Sequence, residues 1–287
     1  MEIFIDEKRS FCQSLKEIHP NLWILRDDLI HPEVSGNKWR KLKYFIEEAQ
    51  KSKQGILTFG GAFSNHIAAT AAASKLFNLP CIGIIRGEKA YQFNKTLTKA
   101  QENGMILEFV SRSFYADREK MYLYYQEKYP NYLVIPEGGS GFLGEKGASE
   151  IVKNLAFQPD YFVLAVGTGT TLRGILHQIK EDQKVVGIPI LAKSYQARLL
   201  KEIEQKEPFF NPKKLLWCED YHFGGYAKYS PSLLAFQQEI LQKYEIPLDH
   251  VYTAKMFYAT LDLISKHFFE EKKEILMIHT GGLQGNF

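Results

Sequence analysis

Short apolar runs of strand length recur along this 287-residue chain, each bounded by Gly, Pro or Asn and each followed by a stretch with helical spacing. In the first half the runs are GILTF (55–59), PCIGII (80–85), MILEFV (105–110) and YLVIP (132–136), separated by the stretches 65–78, 91–103 and 114–129. In the second half DYFVLAV (160–166), KVVGIPI (184–190), LLWCE (215–219) and EILMIHT (274–280) alternate with stretches near 144–156, 171–182, 194–205, 230–244 and 254–269. A strand that leads through a helix to the next strand builds a parallel sheet, which excludes all-α and all-β architectures. Trp39, Leu42, Phe45, Ile46 and Ala49 form the stripe of one further helix over 39–51, after an irregular start. There is no internal repeat or low-complexity linker, and the number of strands suits two sheets better than one. The expected fold is α/β, with two open, mostly parallel twisted-sheet lobes that carry helices on both faces and a ligand cleft between them.

Charge and cysteine content narrow the function. Lys and Arg number 36 against 33 Asp and Glu, a net charge of +3, and the two signs are interspersed in segments such as EEAQKSK and FFEEKKE. These read as solvated helix faces, so no nucleic-acid partner is expected. Cys12, Cys81 and Cys218 form no C-x-x-C, which argues against a zinc knuckle or a dithiol site and fits a reducing compartment. Neither a secretory leader nor a run of the ~20 apolar residues of a membrane span is visible. A cytoplasmic protein with no membrane partner is therefore expected.

In open parallel sheets ligands bind beyond the carboxyl ends of the strands. Three Gly-, Ser- and Thr-rich loops stand there: GGAFSNH (60–66), EGGSGFLGEKG (137–147) and VGTGTTLRG (166–174). Each can offer backbone N–H groups at a helix start to a phosphate or carboxylate. The nucleotide fingerprints fail, because Leu172 stands where a dinucleotide loop needs its third glycine and Glu145 stands where a P-loop needs its lysine. No nucleophile elbow surrounds Ser64, and the eight histidines show no metal-ligand pair, so no metal site is expected. Lys38, in SGNKWRKLKYF, lies just after Gly36 and Asn37 at the entry to the 39–51 helix, a setting unlike that of an ordinary solvated lysine.

The run GNKWRKLKYF resembles the GNKxRKLEF stretch of the D-cysteine desulfhydrase and 1-aminocyclopropane-1-carboxylate (ACC) deaminase family, within the tryptophan-synthase-β-like, fold type II pyridoxal-phosphate (PLP) enzymes. SNHIAATAAASKL, IPEGGSGFLGEKG, VGTGTT and IHTGG match further family segments in the same order, and YHFGGYAKYSP and DHVYTAK resemble its two tyrosine-bearing stretches. The resemblance extends from about residue 30 to the end of the chain. It implies PLP as cofactor, a small amino acid as substrate and a homodimer. Residues 1–40 and 152–287 would form a large PLP-binding domain and 41–151 a small one.

The same resemblance assigns roles to residues. Lys38 would bind the cofactor's aldehyde and then act as general base at the α-carbon. Gly167, Thr168, Gly169, Thr170 and Thr171 would hold its phosphate, and Asn65 its phenolate oxygen. Ser64, Asn65 and His66 would hold the substrate carboxylate. Ser64, Tyr226 and Tyr252 join Lys38 as catalytic candidates. Thr253, at the position of a characteristic ACC deaminase glutamate, and Thr280 would both bind the cofactor, as the residues nearest its pyridine nitrogen, with the Thr280 hydroxyl facing it. A neutral hydroxyl there leaves a weaker electron sink than a carboxylate would, which favours β-elimination from D-cysteine over ACC deamination. A metabolite-binding protein retaining the fold, and a nicotinamide enzyme, are the readings of other classes. Phe63, Ala68 and Ser35 depart from the family pattern, and the chain is shorter than is typical of it.

Overall fold

A computed structural model describes residues 4–87, 94–153, 155–206 and 211–283. The chain opens with strands β1 (Cys12–Ser14) and β2 (Leu22–Leu25) and helix α1 (Asn37–Ser52). There follow β3 (Gly55–Gly61), α2 (Asn65–Leu76), β4 (Cys81–Arg86), α3 (Lys95–Glu102), β5 (Met105–Val110), α4 (Arg112–Ala116), α5 (Arg118–Lys128), β6 (Tyr132–Ile135) and α6 (Phe142–Ser149). The rest comprises β7 (Tyr161–Val166), α7 (Thr170–Gln178), β8 (Lys184–Pro189), α8 (Lys193–Lys206), β9 (Leu215–Trp217), α9 (Pro231–Tyr244), α10 (Thr253–Ser265) and β10 (Ile275–Ile278).

Two sheets result, as the alternation predicts. One is wholly parallel, in the order β5-β4-β3-β6, and the other runs β1-β2-β10-β7-β8-β9, with only β1 antiparallel. The irregular start is a correction: it holds β1 and β2, and β2 lies inside the larger sheet beside β10. The stretch 114–129 is two helices, because Asp117 breaks the run and its side chain caps α5 by accepting the Lys120 N–H. Part of the expected stretch 91–103 lies outside the described residues; its remainder is α3.

Strand periodicity distributes the core. Along β7, Tyr161, Val163 and Ala165 face the side covered by α9 and α10, while Phe162, Leu164 and Val166 face α7 and α8. Ile275 and Met277 of β10 join the first layer, Leu276 and Ile278 the second. The smaller sheet is covered likewise, by α1, α2 and α3 on one face and by α4 and α5 on the other. Both sheets thus need apolar residues on both faces, which is why their strands read as continuous apolar runs.

Helix α1 ties the two sheets together. Its stripe Trp39, Leu42, Phe45, Ile46 and Ala49 packs into the core of the smaller sheet. Its first turn docks on the end of β10 in the larger one, where the Asn37 N–H donates to the Thr280 carbonyl at 3.3 Å. Gly36 makes that approach possible: its φ is 56°, and a Cβ there would overlap the Thr280 carbonyl. Arg40, one turn on, pairs with buried Asp27 at 2.9 Å and with Glu7, fixing the helix against the N-terminal segment. Residue 38 is thereby held between the sheets. No described helix is long and apolar enough to cross a membrane.

Candidate active site

The three loops and the start of α1 meet at the carboxyl ends of the strands. Lys38 Nζ donates to its neighbour Asn37 Oδ1 at 3.0 Å and sits 5.8 Å from the centre of the Tyr252 ring. Asn37 Nδ2 donates to Thr171 Oγ1 at 3.0 Å, so one amide joins the lysine to the start of α7. Burial lowers the Lys38 amine to about 8, with the Asp249 carboxylate opposing. An amine so lowered is far more often neutral near pH 7 than a surface lysine, as nucleophilic and base chemistry requires.

The Gly-Thr loop closes round this point. Gly169 caps α7 at a φ of 82°. Thr168 and Thr170 hydroxyls lie 3.3 Å apart. Gly167 faces Tyr252 so closely that a Cβ would stand 3.2 Å from the ring, and Gly138 in turn abuts Thr168. Arg173, on the next turn of α7, is paired with Glu145 at 2.8 Å. Lys41 is different. It is buried, and the charges that act on it are two cations, Lys38 and Arg173; burial and their repulsion hold its amine well below the ordinary lysine range. A threonine-rich helix start with a buried lysine of this kind can offer N–H groups, hydroxyls and a cation to a dianion.

At the start of α2, the Ser64 hydroxyl accepts the Ile67 N–H at 3.3 Å, an ordinary N-cap. Asn65 Nδ2 reaches the Gly282 carbonyl at 3.4 Å, which links this helix start to the turn after β10. His66 turns its ring inward. Thr58 Oγ1 donates to the Ile135 carbonyl at 2.9 Å and lies 2.8 Å from His66 Nε2, so it must accept from that nitrogen. Nδ1 is then a bare acceptor, and among the described residues it has no partner. Burial, with Lys41 and Lys38 nearby, keeps the ring neutral by pushing its pKa well down. The His66 ring is therefore buried against Thr58, while its backbone N–H remains at the helix start.

The far wall is α10 and the loop before it. Tyr252 immediately precedes α10, and its ring lies 6.2 Å from that of Tyr226 at 76°. Burial raises the Tyr252 phenol well above its usual value, so it keeps its proton at neutral pH, while the Tyr226 ring remains partly open to solvent. Thr253 corrects the expectation of a hydroxyl turned to the cofactor. It is fully buried, and its hydroxyl donates to Asp249 Oδ1 at 2.8 Å. Asp249 accepts three further N–H groups, from Val251, Tyr252 and Thr253, and so organises the start of α10. Thr280 ends the wall; it is nearly buried, and its carbonyl rather than its hydroxyl holds α1. Ser35 fills the space beside Gly281, and its hydroxyl accepts the Gly282 N–H at 3.4 Å.

Lys41 and Asp249 are the residues that motif reading missed. Lys41 stood within GNKWRKLKYF, and its i+3 spacing from Lys38, one helical face, was the available signal.

A lysine amine of lowered pKa beside a dianion cradle is what a phosphorylated aldehyde requires. The model of pyridoxal-phosphate dependent enzymes matches residues 11–281. The chain belongs to that family, and within it to the lyases that carry the names ACC deaminase and D-cysteine desulfhydrase. It is 32% identical, over 95% of its length and 87% of the relative's, to a putative ACC deaminase of Pyrococcus horikoshii. It is 30% identical, over 92% of its length and 73% of the relative's, to a bifunctional D-cysteine desulfhydrase/ACC deaminase of Arabidopsis thaliana. The crystal structure of an ACC deaminase homologue superposes with a TM-score of 0.77 at 28% identity, covering 95% of this chain and 87% of that one.

Proposed function

We propose that the protein eliminates sulfide from D-cysteine, giving pyruvate and ammonia, with Lys38 as the lysine that holds PLP. The observation that carries this reading is the wall around Thr253. Its hydroxyl is tied to Asp249, and the Asp249 oxygens are occupied by four hydrogen bonds, so among the described residues this wall offers no carboxylate free of hydrogen bonds there. Thr280 then serves as the partner of the pyridine nitrogen, and a hydroxyl does not hold that nitrogen protonated. Bound PLP withdraws electrons from the α-carbon of the attached amino acid. With a weaker sink, a substrate whose β-substituent departs with its electron pair is favoured over one that must open a ring.

The residues divide the work. Thr168, Thr170 and the N–H groups from Gly167 to Thr171 hold the phosphate, with Lys41 adding charge. The start of α2, at Ser64, Asn65 and His66, holds the substrate carboxylate through its N–H groups and the Ser64 hydroxyl, and Asn65 also donates to the phenolate oxygen. The Lys38 amine takes the proton from Cα as the Cβ–S bond breaks. Sulfur departs with the electron pair of the Cβ–S bond as hydrosulfide, and Tyr252, which retains its proton at neutral pH, donates a hydrogen bond to it, with Tyr226 beside it. Addition of water to the released three-carbon enamine yields pyruvate and ammonia. The same reading makes residues 1–40 and 152–287 the large domain and 41–151 the small one.

The test is a product assay on the purified holoenzyme with D-cysteine, β-chloro-D-alanine, L-cysteine and ACC at equal concentration. Pyruvate from the two D-amino acids, and little 2-oxobutanoate from ACC, is the expected result. Faster turnover of ACC than of D-cysteine would transfer the assignment to ACC deamination, the activity that several relatives' names carry.

A further inference from the structure

Tyr226 reaches the site on a loop with an uncommon backbone. Phe223, Gly224 and Gly225 have successive φ values of 51°, 88° and 117°, and Ala227 has 55°. Non-glycine residues at positive φ persist only where surrounding contacts hold them. Here the contacts come from one face of α10. Lys255 is fully buried, and its Nζ donates to the His222 carbonyl at 2.9 Å and to the Gly225 carbonyl at 2.8 Å. Tyr258 meets the Phe223 ring edge-on at 5.3 Å. Asp262 accepts the Tyr221 hydroxyl at 2.6 Å. Residues 255, 258 and 262 are spaced three and four apart, one stripe of a helix. Tyr252, one turn before Lys255, immediately precedes the same helix.

We infer that Lys255 is the positioning residue for Tyr226: its ammonium gathers two loop carbonyls and so sets Tyr226 against Tyr252. Packing alone does not account for a lysine at this point, since methionine would fill much the same space without bringing a charge out of water. What the amine adds is donors aimed at carbonyls that the left-handed turn directs inward. Residues on α10 thus set both tyrosines, Tyr252 through the chain and Tyr226 through Lys255. The inference goes beyond the choice of substrate and rests only on Tyr226 belonging to the site.

Hydrogen–deuterium exchange and steady-state kinetics on Lys255→Met holoenzyme test it together. Amides of residues 221–228 should exchange about tenfold faster, with those of β7 and β10 unchanged. kcat should fall about tenfold with a smaller change in KM, and the same substitution made on Tyr226→Phe should cost little more, because both act through one hydroxyl. Lys255→Gln, which keeps a donor, should recover part of kcat; if the methionine variant does not fold, this variant carries the same measurements. Unchanged exchange of the loop, or losses in kcat that multiply in the double variant, would overturn the inference. The exchange result does not depend on which amino acid is the substrate, so a wrong substrate assignment leaves it standing.

Discussion

Buried lysines differ by what lies around them. Lys255 finds two carbonyls, and Lys38 an amide and the field of Asp249, but Lys41 meets the charges of Lys38 and Arg173. Such a charge is costly in the empty protein and favourable once a dianion binds. Lys41→Met should therefore leave the cofactor-free protein at least as heat-stable as the wild type. It should also weaken PLP binding by about tenfold or more, roughly 1.4 kcal/mol. Titration of cofactor-free protein with PLP checks this, and unchanged affinity would remove Lys41 from the phosphate site. Sequence motifs pointed to Lys38, Ser64, Asn65 and the Gly167 to Thr171 loop, and the structure links their segments through Asn37 with Thr171, Asn65 with Gly282, Gly138 with Thr168 and Gly139 with His66. They did not point to Asp249 or Lys255, because those roles depend on burial and on partners that no local spacing encodes.

At the scale of elements, the geometry of the site depends on α1 and α6 approaching closely. Gly147 of α6 lies against the Arg40 carbonyl of α1, and a Cβ there would overlap that oxygen; Gly144 abuts the Gly139 carbonyl in the same way. Gly147→Ala must push the helices apart, with no flexible side chain to yield. A loss of about 3 kcal/mol is expected, the upper part of the range for overpacked cores, measured as a lower midpoint in urea. A variant as stable as the wild type would mean that the contact gives way easily. The eight strands read from apolar runs are present because strands buried on both faces need such runs. β1 and β2 were missed for the opposite reason. CQS is a three-residue edge strand without an apolar pattern, and LWIL is short and lies in a polar setting. The break between α4 and α5 was also invisible, since it rests on one capping aspartate inside a helical pattern.

For the molecule as a whole, two sheets share one helix, and the start of that helix carries Lys38. The cores of the sheets are separate, and α1 belongs to one core while docking on the other through Gly36 and Asn37. The Lys38 amine therefore stands at the junction, within reach of loops from both sheets. PLP dependence follows from family membership, whereas Lys38 as the lysine that holds the cofactor is our proposal, argued from this architecture. Borohydride reduction of the yellow holoenzyme, followed by peptide mass spectrometry, tests it most directly. A pyridoxyl label on the peptide that contains Lys38, and no label in Lys38→Ala, is the predicted result; a label on Lys41, or one that persists in Lys38→Ala, would contradict it.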